Sequence, residues 1–218
     1  MIITIDGPAG AGKSLAARRL AQQLGFLFLD TGAMYRAVTL AGLRQAIDWQ
    51  DTGELAKIAT SAKIELPDDR VLLDGEDVTK QIRTFEVTTL TRHAADNLAV
   101  RKRLTELQRA FAQDQDVVTE GRDQATEVFP TADLKIYLTA SDQVRAQRRY
   151  EDLISRGEQV TLSEVLEKQL QRDQRDLERE FGGLRMAEDS IEVSTDRLTP
   201  NEVVEKLVAL ARSVRCSS

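Results

Sequence analysis

An α/β fold, with a parallel sheet covered on both faces, is what this chain of 218 residues predicts. Three observations predict it. Short apolar runs alternate with stretches of helical periodicity. The first run passes directly into a glycine-rich turn and then a helical pattern. The length suits one core with small insertions. Residues 2–5 are the first run, short and apolar as a buried parallel strand should be. Leu15, Ala16, Leu20 and Leu24 follow at helical spacing, and Gly25 is a stop signal. Residues 26–29 predict a second strand and residues 34–46 a second helix. The rhythm breaks over residues 60–82, where Lys63-Ile64-Glu65-Leu66 and Val71-Leu72-Leu73 flank polar turns and Asp74-Gly75 is a hairpin dipeptide. A small antiparallel insertion is expected there, followed by helix over 86–113. Val117-Val118-Thr119, residues 134–138 and Ile191-Glu192-Val193 complete a five-stranded sheet. Residues 142–156 and 162–180 predict two strongly charged helices joined at Gly157. A helix over 200–214 closes the pattern.

Composition narrows the function. Apolar residues are 41% and charged residues 30%, the balance of a soluble globular protein. No apolar run approaches the roughly 20 residues of a membrane span, and the first residues lack the basic and apolar regions of a secretory leader. One cysteine, Cys216, excludes an internal disulfide and a multi-cysteine metal site. A cytoplasmic location is expected, with no membrane partner. The net charge of −6 argues against broad nucleic-acid binding but not against a small anionic substrate, which a few placed cations can hold. His93 is the single histidine, so histidine-based acid–base or metal chemistry is not expected. A monomer is expected because no long apolar stripe is left over.

Gly7-Pro8-Ala9-Gly10-Ala11-Gly12-Lys13-Ser14 has the G-x-x-x-x-G-K-[ST] spacing, between a predicted strand and a predicted helix. Small residues let successive backbone N–H groups curl toward phosphate oxygens, and a helix N-terminus adds positive potential. Lys13 is expected on the β- and γ-phosphates, and the Ser14 hydroxyl on Mg²⁺. These eight residues are the expected ATP site in a P-loop NTPase fold. An Asn-Lys-x-Asp guanine reader is absent from the sequence, which argues against a GTPase. Val117-Val118-Thr119-Glu120 is a poor match to the strand-end metal acid of motor ATPases. A short, arginine-studded chain suits a small-molecule kinase.

Asp30-Thr31-Gly32-Ala33-Met34-Tyr35-Arg36 follows the second strand, and Thr31 and Arg36 on the first turns of a helix suit an anionic acceptor. An ordinary helix cap with a solvated arginine is the plainer alternative. Glu120-Gly121-Arg122-Asp123 follows another strand end, where ligands of open parallel sheets bind.

Together these motifs resemble the bacterial-type cytidylate kinases. Besides the segments above, the resemblance rests on Asp74-Gly75-Glu76-Asp77-Val78, Ile82-Arg83-Thr84, Gln108-Arg109-Ala110-Phe111, Val128-Phe129-Pro130 and Arg172-Asp173-x-Arg175-Asp176. It implies transfer of the γ-phosphate of ATP to CMP or dCMP with Mg²⁺. It implies that Asp123 and Arg101 read cytosine, whose amino donor and ring acceptors call for a carboxylate and an arginine. It puts Arg36 and Arg122 on the CMP phosphate and Asp176 on the ribose. Arg172, Asp176 and Arg179 share a predicted helix face, as sugar acceptor and phosphate donors or as an exposed ion-pair ladder. Lys13, Arg122, Arg149 and Arg179 are the expected catalytic cations. Arg92 stands near the cytosine, where many members have serine. Ala125 and Glu127 interrupt a usual Gly-Thr-Val-Val-Phe-Pro stretch, with Glu127 expected in solvent. Gly182-Gly183-Leu184 replaces an Ala-Pro-Leu-like segment, which should loosen the chain there. The implied organisation is a core of about 1–45, 114–149 and 185–218, a monophosphate-binding insertion of about 46–113 and a lid of about 150–184. A kinase for another acceptor, such as UMP or shikimate, and a nucleotide sensor without turnover are the other readings.

Overall fold

The computed structural model describes residues 1–67, 70–155 and 157–215; Arg156 and Cys216 lie outside these. The chain divides into two compact units, Met1–Phe28 with Gln115–Ser218, and Leu29–Asp114.

A five-stranded sheet carries the first unit: β1 (Ile2–Asp6), β2 (Leu27–Asp30), β6 (Val117–Gly121), β7 (Leu134–Thr139) and β8 (Ile191–Ser194), in the order β2-β6-β1-β7-β8. β1 lies parallel to β6 and to β7, and β8 parallel to β7. The registers pair Asp6 with both Gly121 and Tyr137, so β1 and β6 end level and β7 runs two residues further. Ile3, Ile5, Val118, Ile136, Leu138 and Val193 have no exposed surface, as expected of strands buried on both faces. They pack with Ala17 and Leu20 of α1 (Lys13–Leu24) and with Leu207 and Ala211 of α8 (Pro200–Arg215). Each large aliphatic side chain buried here stabilises the fold by about 1.5–3 kcal/mol. Leu15 keeps the helical spacing but faces solvent, and Ala16, Ala17, Leu20 and Ala21 form the buried stripe instead. The remaining helices of this unit are α6 (Asp142–Ser155) and α7 (Leu162–Glu178), which pack on one another. A capping box starts α7, with Thr161 and Glu164 satisfying each other's backbone N–H. α7 ends two residues before the expected 180. The chain turns back at Gly182-Gly183, and Leu184 N donates to Asp176 O at 2.7 Å. A Cβ on Gly183 would stand 2.5 Å from the Arg179 carbonyl, so this segment is held by close packing and not loosened.

The second unit is mostly helical: α2 (Thr31–Arg44), α3 (Thr52–Ser61), α4 (Phe85–Asp96) and α5 (Leu98–Phe111), with a short 3-10 turn at Gln81–Arg83. Asp30, Asp51, Thr84 and Asn97 cap them by accepting first-turn N–H groups. The expected antiparallel insertion is a small meander of β3 (Ile64–Glu65), β4 (Leu72–Leu73) and β5 (Glu76–Asp77), with Asp74-Gly75 turning β4 into β5. The unit begins at Leu29, earlier than the 46–113 stretch expected, because α2 packs on α3, α4 and the 3-10 turn. Nine residues of α2 are buried, from Thr31 and Ala33 to Gly42.

Candidate active site

The phosphate loop grows out of β1. Gly7 meets the backbone of β7 so closely that a Cβ would lie 2.0 Å from the Leu138 carbonyl oxygen. The loop closes on Gly12, the N-cap of α1, which offers no side chain to the first-turn N–H groups. Those donors are thus available to an anion. Lys13 is 5% exposed, and its ammonium donates to Pro8 O at 2.8 Å, bent back across the loop. Burial pushes its pKa down to about 7, with the Arg122 guanidinium adding to the shift and the Glu120 carboxylate opposing it. Bound phosphates would supply the negative charge this lysine lacks.

Ser14 Oγ donates to Glu120 Oε1 at 2.9 Å. Glu120 is buried, in the last pair of residues of β6. A hydroxyl beside a carboxylate is a hard-oxygen donor set of the kind Mg²⁺ takes together with substrate phosphates. Among the described residues there is no cluster of three acidic, histidine or cysteine side chains that could hold a metal alone. The two residues therefore fit a cation that arrives with its nucleotide.

Asp6 ends β1 and is 1% exposed. Its carboxylate accepts from Gln124 N at 3.0 Å and Ala125 N at 2.7 Å, fastening the turn that follows β6. Burial pushes the Asp6 carboxyl up to about 7, against the pull of those two donors. The turn continues as a single π-helical turn, Gln124–Val128, of a kind that recurs at functional sites. Within it Gln124, fully buried, accepts from Thr119 Oγ1 at 2.8 Å and donates to Asp123 Oδ1 at 3.4 Å. Glu127 is half-buried and has a partner, so it does not simply face solvent.

Arg122, Asp176 and Arg179 form one charged group. Arg122 Nε donates to Asp176 Oδ2 at 2.9 Å and Arg179 to Asp176 Oδ1 at 3.0 Å. Burial alone would raise the Asp176 carboxyl, but Arg122, Arg172 and Arg179 outweigh it and hold the group below the usual carboxylate range. Arg172 sits one turn before Asp176, on the exposed side of α7. Arg149 is exposed on α6 and donates to Asp152 at 2.9 Å.

In the second unit the acceptor motif is built around Asp30. Its carboxylate caps α2 by accepting from Ala33 N at 2.8 Å and also receives Arg36 at 3.3 Å. Arg83 approaches the other oxygen at 3.7 Å. Two arginines on one carboxylate make a ready anion subsite, since an incoming phosphate offers them a stronger acceptor. Thr31 is buried on the first turn of α2. Arg101 is 4% exposed, donates to Ala95 O at 3.0 Å, and lies 5.4 Å over the Tyr35 ring. Arg92 bonds instead to His93 and lines an open cavity with Trp49 and Leu55.

Within the first unit the structure thus brings together Lys13, Ser14, Arg122, Arg172, Asp176 and Arg179. Sequence reasoning missed Glu120, Asp6, Asp30 and Arg83 as site residues. The signal for the first two was an acidic residue ending a buried strand beside the phosphate loop.

The cytidylate kinase family model matches residues 3–213. The cytidylate kinase of Rhodopirellula baltica is 51% identical over 97% of this chain and 93% of its own length. A bifunctional pantoate ligase/cytidylate kinase of Synechococcus sp. is 44% identical over 98% of this chain, which spans 41% of that protein. Among solved structures, a shikimate kinase from Bacteroides thetaiotaomicron superposes with a TM-score of 0.50 at 13% identity, covering 97% of this chain and 98% of that one. That likeness concerns the fold, a P-loop kinase sheet flanked by helices. The match in sequence is of a different order, and by it this chain belongs to the cytidylate kinase family.

Proposed function

We propose that this protein transfers the γ-phosphate of ATP to CMP or dCMP, giving ADP and CDP or dCDP. The observation that carries the reading is the family match over residues 3–213, in a chain that keeps its phosphate-loop lysine and serine. Gly7 to Ser14 hold the ATP phosphates through backbone N–H groups. Lys13 leaves Pro8 O for the β- and γ-phosphates, and its charge is restored there. Ser14, with Glu120 beside it, would hold Mg²⁺, which would supply positive charge to the phosphates. Arg36, joined by Arg83, grips the CMP phosphate as it displaces Asp30. Asp123 accepts from the cytosine amino group and Arg101 donates to the ring acceptors, with Thr31 and Arg92 as further contacts. Arg122 and Arg179 exchange Asp176 for phosphate oxygens, which frees Asp176 for the ribose. Arg149 and Arg172 add positive charge as the phosphoryl group moves. Phosphoryl transfer needs positioning and charge neutralisation more than a base, which suits a site built from arginines.

Residues of about 150–184 serve as a lid in this reading, and 46–113 as the monophosphate-binding insertion. We place the protein in the cytoplasm as a monomer, with no membrane or nucleic-acid partner. No helix among the described residues is long and apolar enough to cross a membrane. An ADP-release assay over a panel of monophosphates and shikimate tests the whole reading. CMP and dCMP should turn over fastest, and a preferred acceptor outside this pair would overturn it. Asp123→Ala should narrow the preference for CMP over UMP by about 1–3 kcal/mol, since uracil offers an acceptor where cytosine offers a donor.

A further inference from the structure

The contact of α6 with α7 contains a buried charge pair that the proposed chemistry does not use. Arg145 stands on the first turns of α6 with its side chain 4% exposed. Each guanidinium nitrogen is engaged. Nε donates to Ala140 O at 3.1 Å, one Nη donates to Ala9 O at 2.7 Å, and the other donates to the Asp142 carboxylate. The Nη on Ala9 also lies 2.7 Å from Oδ2 of Asp173, in α7. Both Asp173 carboxylate oxygens are buried without a hydrogen-bond partner, and Arg145 is the ion-pair partner beside them. A buried carboxylate in that state depends strongly on its cation.

The two ends of this pair are in informative places. Ala9 belongs to the loop assigned to ATP. Asp173 follows Arg172 directly and precedes Asp176 by one turn of helix. A single rigid, permanently charged fork therefore spans the phosphate loop and the helix that carries the acceptor-side charges. Any movement of the Ala9 carbonyl as phosphates settle is felt by the same Nη that compensates Asp173. Gln169 Nε2 donating to Asp142 O at 3.1 Å keeps the two helices in register beside it.

We propose that Arg145 and Asp173 are positioning residues that couple the phosphate loop to α7, so that nucleotide in the loop orders the row Arg172, Asp176 and Arg179. The proposal rests on the reading of the loop as the ATP site and of that row as acceptor-facing. A pair that only held the helices together would protect α7 equally with and without nucleotide.

The test compares wild type with Asp173→Asn, which keeps the shape and loses the charge, and Arg145→Lys, which keeps the charge and loses the fork. Hydrogen exchange of α7 amides is followed with and without a non-hydrolysable ATP analogue, and CMP affinity is measured by calorimetry in both states. In wild type the analogue alone should raise α7 protection and tighten CMP by about 5–150-fold, the usual range of site–site coupling. Both variants should bind the analogue within about threefold of wild type, yet show little added protection and a coupling factor near one. Their kcat should fall about 10–100-fold, as misplacement of about 1 Å can cost, with the KM for ATP nearly unchanged. Asp173→Glu, which keeps the charge, should recover part of the coupling and serves if Asp173→Asn does not fold. Unchanged α7 protection in wild type on adding the analogue, or full coupling in Asp173→Asn despite a lower Tm, would overturn the proposal. Exchange with the analogue alone reads the coupling even if the acceptor proves not to be CMP, an outcome that would overturn only the acceptor reading.

Discussion

Two groups of charges, one in each unit, differ in how far they are sealed from solvent. In the first, Asp6, Glu120 and Asp123 at or next to strand ends, with Lys13 and Arg145 on the first turns of α1 and α6, are nearly sealed from solvent. In the second, Arg36 and Arg83 keep 23% and 52% of their side chains exposed around one helix-capping carboxylate. Sealed charges act on a reacting group at low effective dielectric. Exposed arginines on helices can follow a ligand but contribute less per contact. In the proposed function the first arrangement would favour rate and the second affinity for the acceptor.

The largest effect should follow from the buried lysine of the phosphate loop. Lys13→Ala should lower kcat by at least about 100–1,000-fold while leaving the fold intact, because the charge it neutralises develops in transfer. Single-turnover kinetics with circular dichroism check this, and a near-normal rate would break the contrast between the units. Glu120→Gln comes next. Removing the anionic oxygen beside Ser14 should raise the Mg²⁺ concentration for half-maximal rate by about 10–100-fold, with a smaller change at saturating Mg²⁺. Arg36→Ala should act mainly on the KM for CMP, by about 1.5–3 kcal/mol, and Arg83→Ala less, in keeping with its exposure. A dominant loss of kcat in Arg36→Ala would show that the second unit is as much a rate device as the first.

The smallest effect is a proton. With its pKa at about 7 in the free protein, Lys13 is partly neutral at pH 7.5. Phosphates favour its charged form, so the bound state holds more protons than the free state. ATP binding should then take up protons, and affinity should fall as pH rises above about 7, by at most about tenfold per unit. Calorimetry in buffers of different ionisation enthalpy measures the uptake, which Lys13→Ala should abolish.

Much of this molecule was readable from its residues. The five strands sit where short apolar runs stood, and Asp74-Gly75 turns the hairpin its dipeptide suggested. Helix α3 was not anticipated. Its apolar residues Leu55, Ile58 and Ala59 fall in a short segment beside the less regular 60–82 stretch. The eight residues of the phosphate loop were legible because a phosphate imposes a contiguous motif. Glu120 was passed over because a glutamate at that strand end matches the metal-acid pattern poorly. Its bond to Ser14 joins residues 106 apart in sequence.

The sequence alone determined the α/β class, the strand runs, the phosphate loop and the family resemblance, since each depends on short-range periodicity or contiguous spacing. The tertiary structure decided which charges meet. It paired Asp6 with the amides of Gln124 and Ala125, 118 and 119 residues away, and set Arg145 between Ala9 and Asp173. It also filled Asp176 with two arginines. Such partners depend on strand order and register, which bring together residues far apart in the chain. Whether a given carboxylate is solvated, capped or sealed against a guanidinium is therefore settled only once the sheet has assembled.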